Sequence, residues 1–372
     1  MKFIDWFAGI GGFRRGMELA GHECVGFCEF DKFATASYIS MHILTDEQRK
    51  KLDELPQKKR QKEILKDEYR NGEWYANDVR RVCADDIPKA DCWCFGFPCQ
   101  DISVAGKQLG FQGNRSSLFF RVMYLIGQLK EEDKPTYLFI ENVKNLRSVN
   151  GGWDFAKLLI EMEQGGYDAE WQVLNSKDFG VPQNRERCFI IGHLRGRSTA
   201  KVFPVERADG ENRVQIIGHK DGYRRNTQVF DQNGITETLD TAQGGGRGHH
   251  VALPCFIDLG VDSVNLSVPG SKTRRGRVGH DLANTLDTSC NQGIFVQVSE
   301  ELTVYAVWYE KYQCYIAIRR LTPKECFRLQ GWTDDYFEKA QFVNSDSQLY
   351  KQAGNGVTVN VIEAIAEKLR FA

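Results

Sequence analysis

No apolar run in the sequence approaches the roughly 20 residues that a membrane-spanning helix needs. A secretory opening is missing as well, because Asp5 interrupts any apolar region in Met1-Lys2-Phe3-Ile4-Asp5. The eleven cysteines are odd in number and irregularly spaced, which is not the pattern of a disulfide scaffold. Cys92-x-Cys94 is followed by no second Cys/His pair at zinc-site spacing, so alternation along a strand explains it better than a metal. The expectation is an intracellular chain with no membrane attachment and no metal. Net charge is nearly absent at −1, yet the balance is uneven. Between Arg185 and Arg225 ten Lys/Arg face five Asp/Glu, and Lys272, Arg274, Arg275 and Arg277 crowd into six residues. A chain neutral overall but basic in one region can hold a polyanion there.

With 372 residues, 41% hydrophobic and 27% charged, the chain can bury a sizeable core and is expected to form two domains. An apolar strand, Phe3 to Phe7, runs into Ala8-Gly9-Ile10-Gly11-Gly12-Phe13-Arg14-Arg15-Gly16 and a helix-like Met17 to Ala20. Strand, glycine turn and helix open a nucleotide-binding type of α/β domain, in which glycines let a ligand approach the backbone. Arg14 stands where the dinucleotide fingerprint G-x-G-x-x-G needs its third glycine, which argues against a nicotinamide or flavin enzyme. A second strand, Glu23 to Phe27, ends at Cys28-Glu29-Phe30-Asp31. An acid at that tip suits ribose hydroxyls, with Glu29 the candidate, but Glu29 or Asp31 also suits the cap of a helix starting near Lys32. Asp78, ending another short segment, is placed for an adenine amino group. Residues 45–70 mix charges of both signs and read as the solvated helices of an insertion, with no chemistry assigned.

The segment Asp91-Cys92-Trp93-Cys94-Phe95-Gly96-Phe97-Pro98-Cys99-Gln100 reads as a buried strand that breaks at Gly96 and Pro98 and presents Cys99 on a turn. A nucleophile has to be fixed yet reachable, and such a turn offers both, although most cysteines are only small buried hydrophobes. A second buried strand, Pro135 to Ile140, ends in Glu141-Asn142-Val143, which sets an acid suited to proton donation on the same rim as Cys99. Arg185 and Arg187, two apart before the strand Cys188 to Gly192, would point the same way and clamp an anion or a base edge, or else form a solvated pair. Beyond Arg195 the helical periodicity fades. Residues 234–246 and 283–293 form a weak internal repeat, each followed by a short apolar run; its polar loops, with Arg247 in one copy, could read bases or merely connect strands. Thr322-Pro323-Lys324-Glu325 is a capping box for a helix ending at Gly331, and a last amphipathic helix is expected from Val361 to Leu369.

Six motifs in this order resemble the DNA cytosine-5 methyltransferase family of bacteria and phages: Phe7 to Gly12, Gly96 to Gln100, Glu141 to Val143, Gln183 to Arg187, Arg320 to Thr322, and Gly354 to Val357. The resemblance implies an α/β fold, a Rossmann-like class I methyltransferase sheet with helices on both faces, plus a smaller loop- and strand-rich target-recognition domain. It implies a discontinuous catalytic domain, 1–194 with 335–372, around a recognition domain at 195–334. The cofactor it implies is S-adenosylmethionine, held by Phe7, Gly9, Gly11, Glu29, Phe30, Asp78, Pro98, Asn355 and Val357. It makes Cys99 the nucleophile that adds to cytosine C6, Glu141 the partner of ring N3, Arg187 the holder of the base carbonyl and Arg185 a support of the loop. It implies double-stranded DNA as substrate, approached by Arg247, Lys272, Arg274, Arg275 and Arg277. The setting it implies is a monomer in the bacterial cytoplasm, with a cognate restriction endonuclease as genetic partner. A tRNA substrate, a non-catalytic DNA-binding regulator and a cysteine-dependent oxidoreductase are the competing readings.

Overall fold

The computed structural model describes residues 1–97, 117–206 and 322–371 (Ser117 by its backbone only), together with the backbone of eight short strands between 216 and 320. The first half runs β1 (Lys2–Trp6), α1 (Gly12–Leu19), β2 (Glu23–Cys28), α2 (Lys32–Tyr38), a π-helical turn Ile39–Ile43, α3 (Asp46–Asp53), α4 (Gln57–Glu63), β3 (Trp74–Ala76), β4 (Cys92–Gly96), α5 (Ser117–Gln128), β5 (Tyr137–Val143), α6 (Trp153–Gln164), β6 (Tyr167–Asn175), β7 (Gln183–Asn184) and β8 (Glu186–Leu194). Seven of these strands form one sheet in the order β3-β2-β1-β4-β5-β8-β6. The first five run parallel, and β8 is antiparallel to both β5 and β6. The strand order reverses between β1 and β4, and ligands of open α/β sheets bind at the carboxyl ends beside such a switch.

Strand alternation divides the core into two layers. Trp93, Phe95, Leu138 and Ile140 pack with Phe119, Val122 and Ile126 of α5 and with Leu158 of α6. Cys92, Cys94, Tyr137 and Phe139 face the other way, against Phe13 and Met17 of α1. Cys92 and Cys94 therefore share one buried face, with Sγ atoms 3.7 Å apart, as strand alternation requires. Strands covered on both faces are apolar at consecutive positions, which is why β4 and β5 stand out in the sequence.

The sequence places the first helix five residues too late. Within the glycine run only Gly9 and Gly11 take left-handed φ, 56° and 85°, and Gly12 already begins α1. The view of 45–70 as solvated helices also changes. Leu52, Ile64 and Tyr69 are buried with Phe27, Tyr38 and Val343. Arg60 donates to Leu52 O (3.1 Å), Leu55 O (3.0 Å) and Phe342 O (2.9 Å), locking this segment to the far end of the chain. Leu52, Leu55, Ile64, Leu65 and Tyr69 are few and unevenly spaced in a charged stretch and give no sustained period, so only the tertiary fold reveals the contact.

The middle of the chain contributes β9 (Ile216–His219), β10 (Gln228–Phe230), β11 (Ser263–Asn265), β12 (Val278–Gly279), β13 (Ala283–Asn284), β14 (Gln292–Val296), β15 (Val307–Tyr309) and β16 (Cys314–Arg320). Five form an antiparallel sheet, β12-β11-β14-β16-β15, and β13 pairs in parallel with β7. The second repeat copy supplies β13, with β14 beginning at its end; the first copy lies outside the described residues.

The chain then returns through α7 (Pro323–Arg328), α8 (Asp334–Gln341), α9 (Asp346–Asn355) and α10 (Val359–Ala366). The capping box at α7 is present: Glu325 N donates to Thr322 Oγ1 and Thr322 N to Glu325 Oε2. Cys326, Phe327 and Trp332 are buried with Ile10 and Met41, while Val202, Phe203 and Val205 join the layer beneath α1. α10 closes on α1 so tightly that a Cβ on Gly16 would stand 2.6 Å from Ile362 Cβ. It begins two residues before, and ends three before, the expected span.

Candidate active site

β4 and β5 carry their chemistry to one edge of the sheet. Gly96 pairs with Glu141, and a Cβ at Gly96 would come within 3.0 Å of Glu141 Oε2, so the missing side chain makes room for the carboxylate. Asn142 is buried and donates from Nδ2 to Phe97 O at 3.2 Å, while its Oδ1 accepts from Val143 N at 2.8 Å. Asn142 thereby fixes the backbone two residues before Cys99. Sequence reasoning quoted Asn142 within a motif but gave it no role; its position at the end of a buried strand was the available signal. Pro98, Cys99, Arg247, Lys272, Arg274, Arg275 and Arg277 lie outside the described residues.

β8 brings Arg187 to the same place. In the β5–β8 ladder Arg187 stands opposite Val143, and its Nε reaches Glu141 Oε1 at 3.0 Å. Arg187 Nη1 also donates to Glu186 O at 2.9 Å, which fixes the guanidinium plane. A charge-assisted bond of this kind, largely withdrawn from solvent, holds a carboxylate in one orientation. Arg185 takes a different partner, contrary to the expectation of two parallel side chains. Its Nη2 donates to Gly356 O at 2.8 Å, and its backbone N donates to Asn175 Oδ1 at 2.9 Å. Arg185 lies in the break between β7 and β8, where two-residue alternation does not hold. It ties this arm to the C-terminal loop.

A second cluster surrounds the glycine turn. Phe7 has φ 53°, and Glu29 accepts Gly9 N with Oε2 and Asp31 N with Oε1, both at 2.7 Å. Burial pushes the Glu29 carboxyl above the usual range, against the pull of those two amides. Each oxygen keeps a lone pair for a hydroxyl. The helix cap is Asp31 and not Glu29: its Oδ1 accepts Phe33 N and Ala34 N, at 2.8 and 3.4 Å. Its Oδ2 meets Lys351 Nζ at 2.6 Å. Burial is the largest influence on Asp31 and acts against its ionisation, but Lys351 and the Phe33 and Ala34 amides together outweigh it and hold the carboxyl low.

Phe30 is 72% exposed, unusual for a large aromatic ring, and offers a face to a flat partner. The Arg80 guanidinium lies 5.8 Å from that ring and binds Asp78 in a fork, Nε to Oδ1 at 2.9 Å and Nη2 to Oδ2 at 2.8 Å. Those bonds hold the Asp78 carboxyl below its ordinary range. From the C-terminus, Asn355 is exposed at the end of α9, and Val357 presses on the turn so closely that a Cβ on Gly12 would sit 2.7 Å from Val357 Cγ2. Left-handed glycines, an acid with spare lone pairs and an open aromatic face fit a nucleoside, such as the one in the cofactor that the family resemblance implies. Among the described residues no cluster of three His, Cys, Asp or Glu could hold a metal, and no helix is long and apolar enough to cross a membrane.

A family model described as C-5 cytosine-specific DNA methylase matches residues 1–370. The chain is 29% identical over 378 residues to the Type II methyltransferase M.HhaI of Haemophilus parahaemolyticus, covering 98% of this chain and 93% of that protein. It is 30% identical over 409 residues to the Type II methyltransferase M2.ScrFI of Lactococcus lactis subsp. cremoris, covering 99% of each. Among solved structures it resembles the S. pombe Dnmt2 methyltransferase, with a TM-score of 0.57 and 16% identity over 98% of this chain and 96% of that one. That last likeness is one of fold.

Proposed function

The chain belongs to the C-5 cytosine-specific DNA methylase family, and from that membership we propose how its own residues divide the work. The reaction moves a methyl group from S-adenosylmethionine to C5 of cytosine in DNA. Cytosine C5 is a poor nucleophile, so the ring has to be activated first. Cys99, as thiolate, adds to C6 and converts the ring to an enamine. Glu141 meets ring N3 in its protonated form and passes its proton to N3 as the thiolate attacks, so the negative charge comes to rest on the carboxylate beside Arg187. Arg187 orients Glu141 and binds the base carbonyl, and Arg185 anchors the arm to the Gly356 loop. Once C5 has been methylated and has lost its proton, elimination frees Cys99. A thiol works here only as thiolate, and neighbouring positive charge lowers its pKa from about 8.5. The base has to leave the duplex, at a cost of a few kcal/mol in unstacking.

S-adenosylmethionine supplies the electrophilic methyl group when bound. Gly9 and Gly11 admit it to the turn, Glu29 accepts its ribose hydroxyls, Phe30 covers the adenine, Asp78 accepts the adenine amine, and Phe7, Pro98, Asn355 and Val357 line the remainder. The bonds of Glu29 and the open face of Phe30 support this division. The catalytic body comprises 1–194 and 335–372, extended by 199–206 and 322–334, whose apolar side chains join its core. The recognition region lies between them and carries Arg247, Lys272, Arg274, Arg275 and Arg277 to duplex DNA. The role proposed is protection of host DNA from a cognate restriction endonuclease, a reading in keeping with the Type II names of the relatives; the setting proposed is a monomer in the bacterial cytoplasm.

One observation carries the reading: the Glu141–Arg187 pair sits beside Gly96, three residues before Cys99. The test is methyl incorporation by Cys99→Ser into duplex DNA and into tRNA. Loss of transfer to DNA, with donor binding retained, is expected; transfer surviving the change would contradict it.

A further inference from the structure

One side chain beneath the glycine turn has so far no role. After α2 the chain makes a single π-helical turn, Ile39–Ile43, and such turns recur at functional sites because they redirect side chains. This one brings the His42 ring under the turn, with Nε2 2.9 Å from Ile10 O. A carbonyl only accepts, so Nε2 carries the proton. Burial and the Arg14 guanidinium keep His42 well below the usual imidazole range, which leaves the ring neutral. Nδ1 is enclosed without a partner among the described residues, so one polar atom stays unsatisfied there while the bond to Ile10 is kept. The ring also touches the turn from below: a Cβ on Gly11 would collide with His42 Nε2 and stand 3.0 Å from Tyr38. Tyr38, Trp332 and Tyr336 surround it, with ring centroids 4.9, 5.9 and 5.4 Å away. The last two belong to the stretch by which the chain returns from the recognition region.

We propose that His42 is a positioning residue for the methyl donor: its Nε2–H holds the Ile10 peptide, and with it the Gly9-Ile10-Gly11 turn, in the shape that accepts the ligand. This rests on the reading of that turn as the donor site. His42 touches no reacting atom. It acts through the turn alone, so its loss falls on donor affinity and leaves DNA affinity in place.

The experiment is calorimetric titration of the full chain with S-adenosylmethionine, paired with steady-state kinetics. His42→Phe keeps a ring and loses the donor; His42→Gln puts an N–H close to where Nε2 stood. His42→Phe is expected to weaken donor binding about tenfold, which is about 1.4 kcal/mol and within the range for a lost bond that strands a carbonyl. The KM for the donor should rise with it, and the KM for DNA should stay within about twofold. His42→Gln should recover most of the loss. Should His42→Phe fail to fold, His42→Asn, whose amide stops short of Ile10, should show the same loss. Glu29→Gln is the control for the site. If it weakens donor binding while His42→Phe does not, the inference about His42 is wrong and the site stands. If His42→Gln is as weak as His42→Phe, ring packing and not the hydrogen bond is responsible, which overturns the proposal. If neither Glu29→Gln nor His42→Phe changes binding, the turn is not the donor site and both readings fall.

Discussion

Arg187 Nε stands 3.0 Å from Glu141 Oε1 across the antiparallel strands β5 and β8, with side chains only 16% and 11% exposed. Two groups joined in this way act on the base as one unit, and units lose their function non-additively. Glu141→Gln is expected to slow single-turnover methyl transfer by about 100-fold or more, the usual contribution of positioned proton transfer. Arg187→Ala should cost a similar factor, and the double variant little beyond either one. Fully multiplicative losses in a double-mutant cycle would show that the two residues act separately.

Asn142 holds Phe97 O at 3.2 Å, two residues before Cys99. Its loss should leave donor and DNA affinity nearly unchanged and lower the rate of the chemical step, since nucleophile placement alone is disturbed. A drop of about tenfold for Asn142→Ala is expected from one lost buried bond. The check is pre-steady-state kinetics at saturating DNA and donor; a change confined to KM would count against the tether.

Val357 Cγ2 would lie 2.7 Å, and Val357 O 3.0 Å, from a Cβ at Gly12. The backbone oxygen cannot yield as a side chain can, so Gly12→Ala should destabilise by about 1–3 kcal/mol as overpacking does. It should also weaken donor binding, because the loop from the C-terminus is pushed off the turn. Thermal melts with and without S-adenosylmethionine test both; an unchanged melting temperature would mean that the loop moves freely.

The Asp31–Lys351 pair makes a prediction with a sign. The folded carboxyl lies below its ordinary 3.8, so the pair's contribution is present above that value and disappears as pH falls through the lower folded one. Stability of the wild type and of Lys351→Met should differ by a constant amount from neutral pH down to about 5, and the difference should close in more acid solution. A gap that persists below the folded value, measured by denaturant titration, would assign the difference to packing and not to charge.

The rim that carries Gly96 and Glu141 was legible because β4 and β5 are apolar on both faces and end at a glycine and an acid. The capping box of α7 was legible because Thr322, Pro323 and Glu325 are local signals. The partners of Arg185 and Arg60 were not, since each bonds to a backbone carbonyl far along the chain: Gly356 is 171 residues from Arg185 and Phe342 is 282 from Arg60. Residue types near a carbonyl acceptor give no pattern to detect. His42 escaped for another reason: helical periodicity assumes 3.6 residues per turn, and the π turn rotates His42 away from where that period puts it.

The central claim is that Cys99 forms the bond to cytosine C6. Duplex DNA carrying 5-fluorocytosine at the target position blocks release, because the fluorine cannot leave as the proton does. Incubation with S-adenosylmethionine, followed by denaturing electrophoresis and peptide mass spectrometry, should give a stable protein–DNA adduct attached at Cys99 and absent from Cys99→Ser. An adduct on another residue, or one that forms undiminished with Cys99→Ser, would contradict the account.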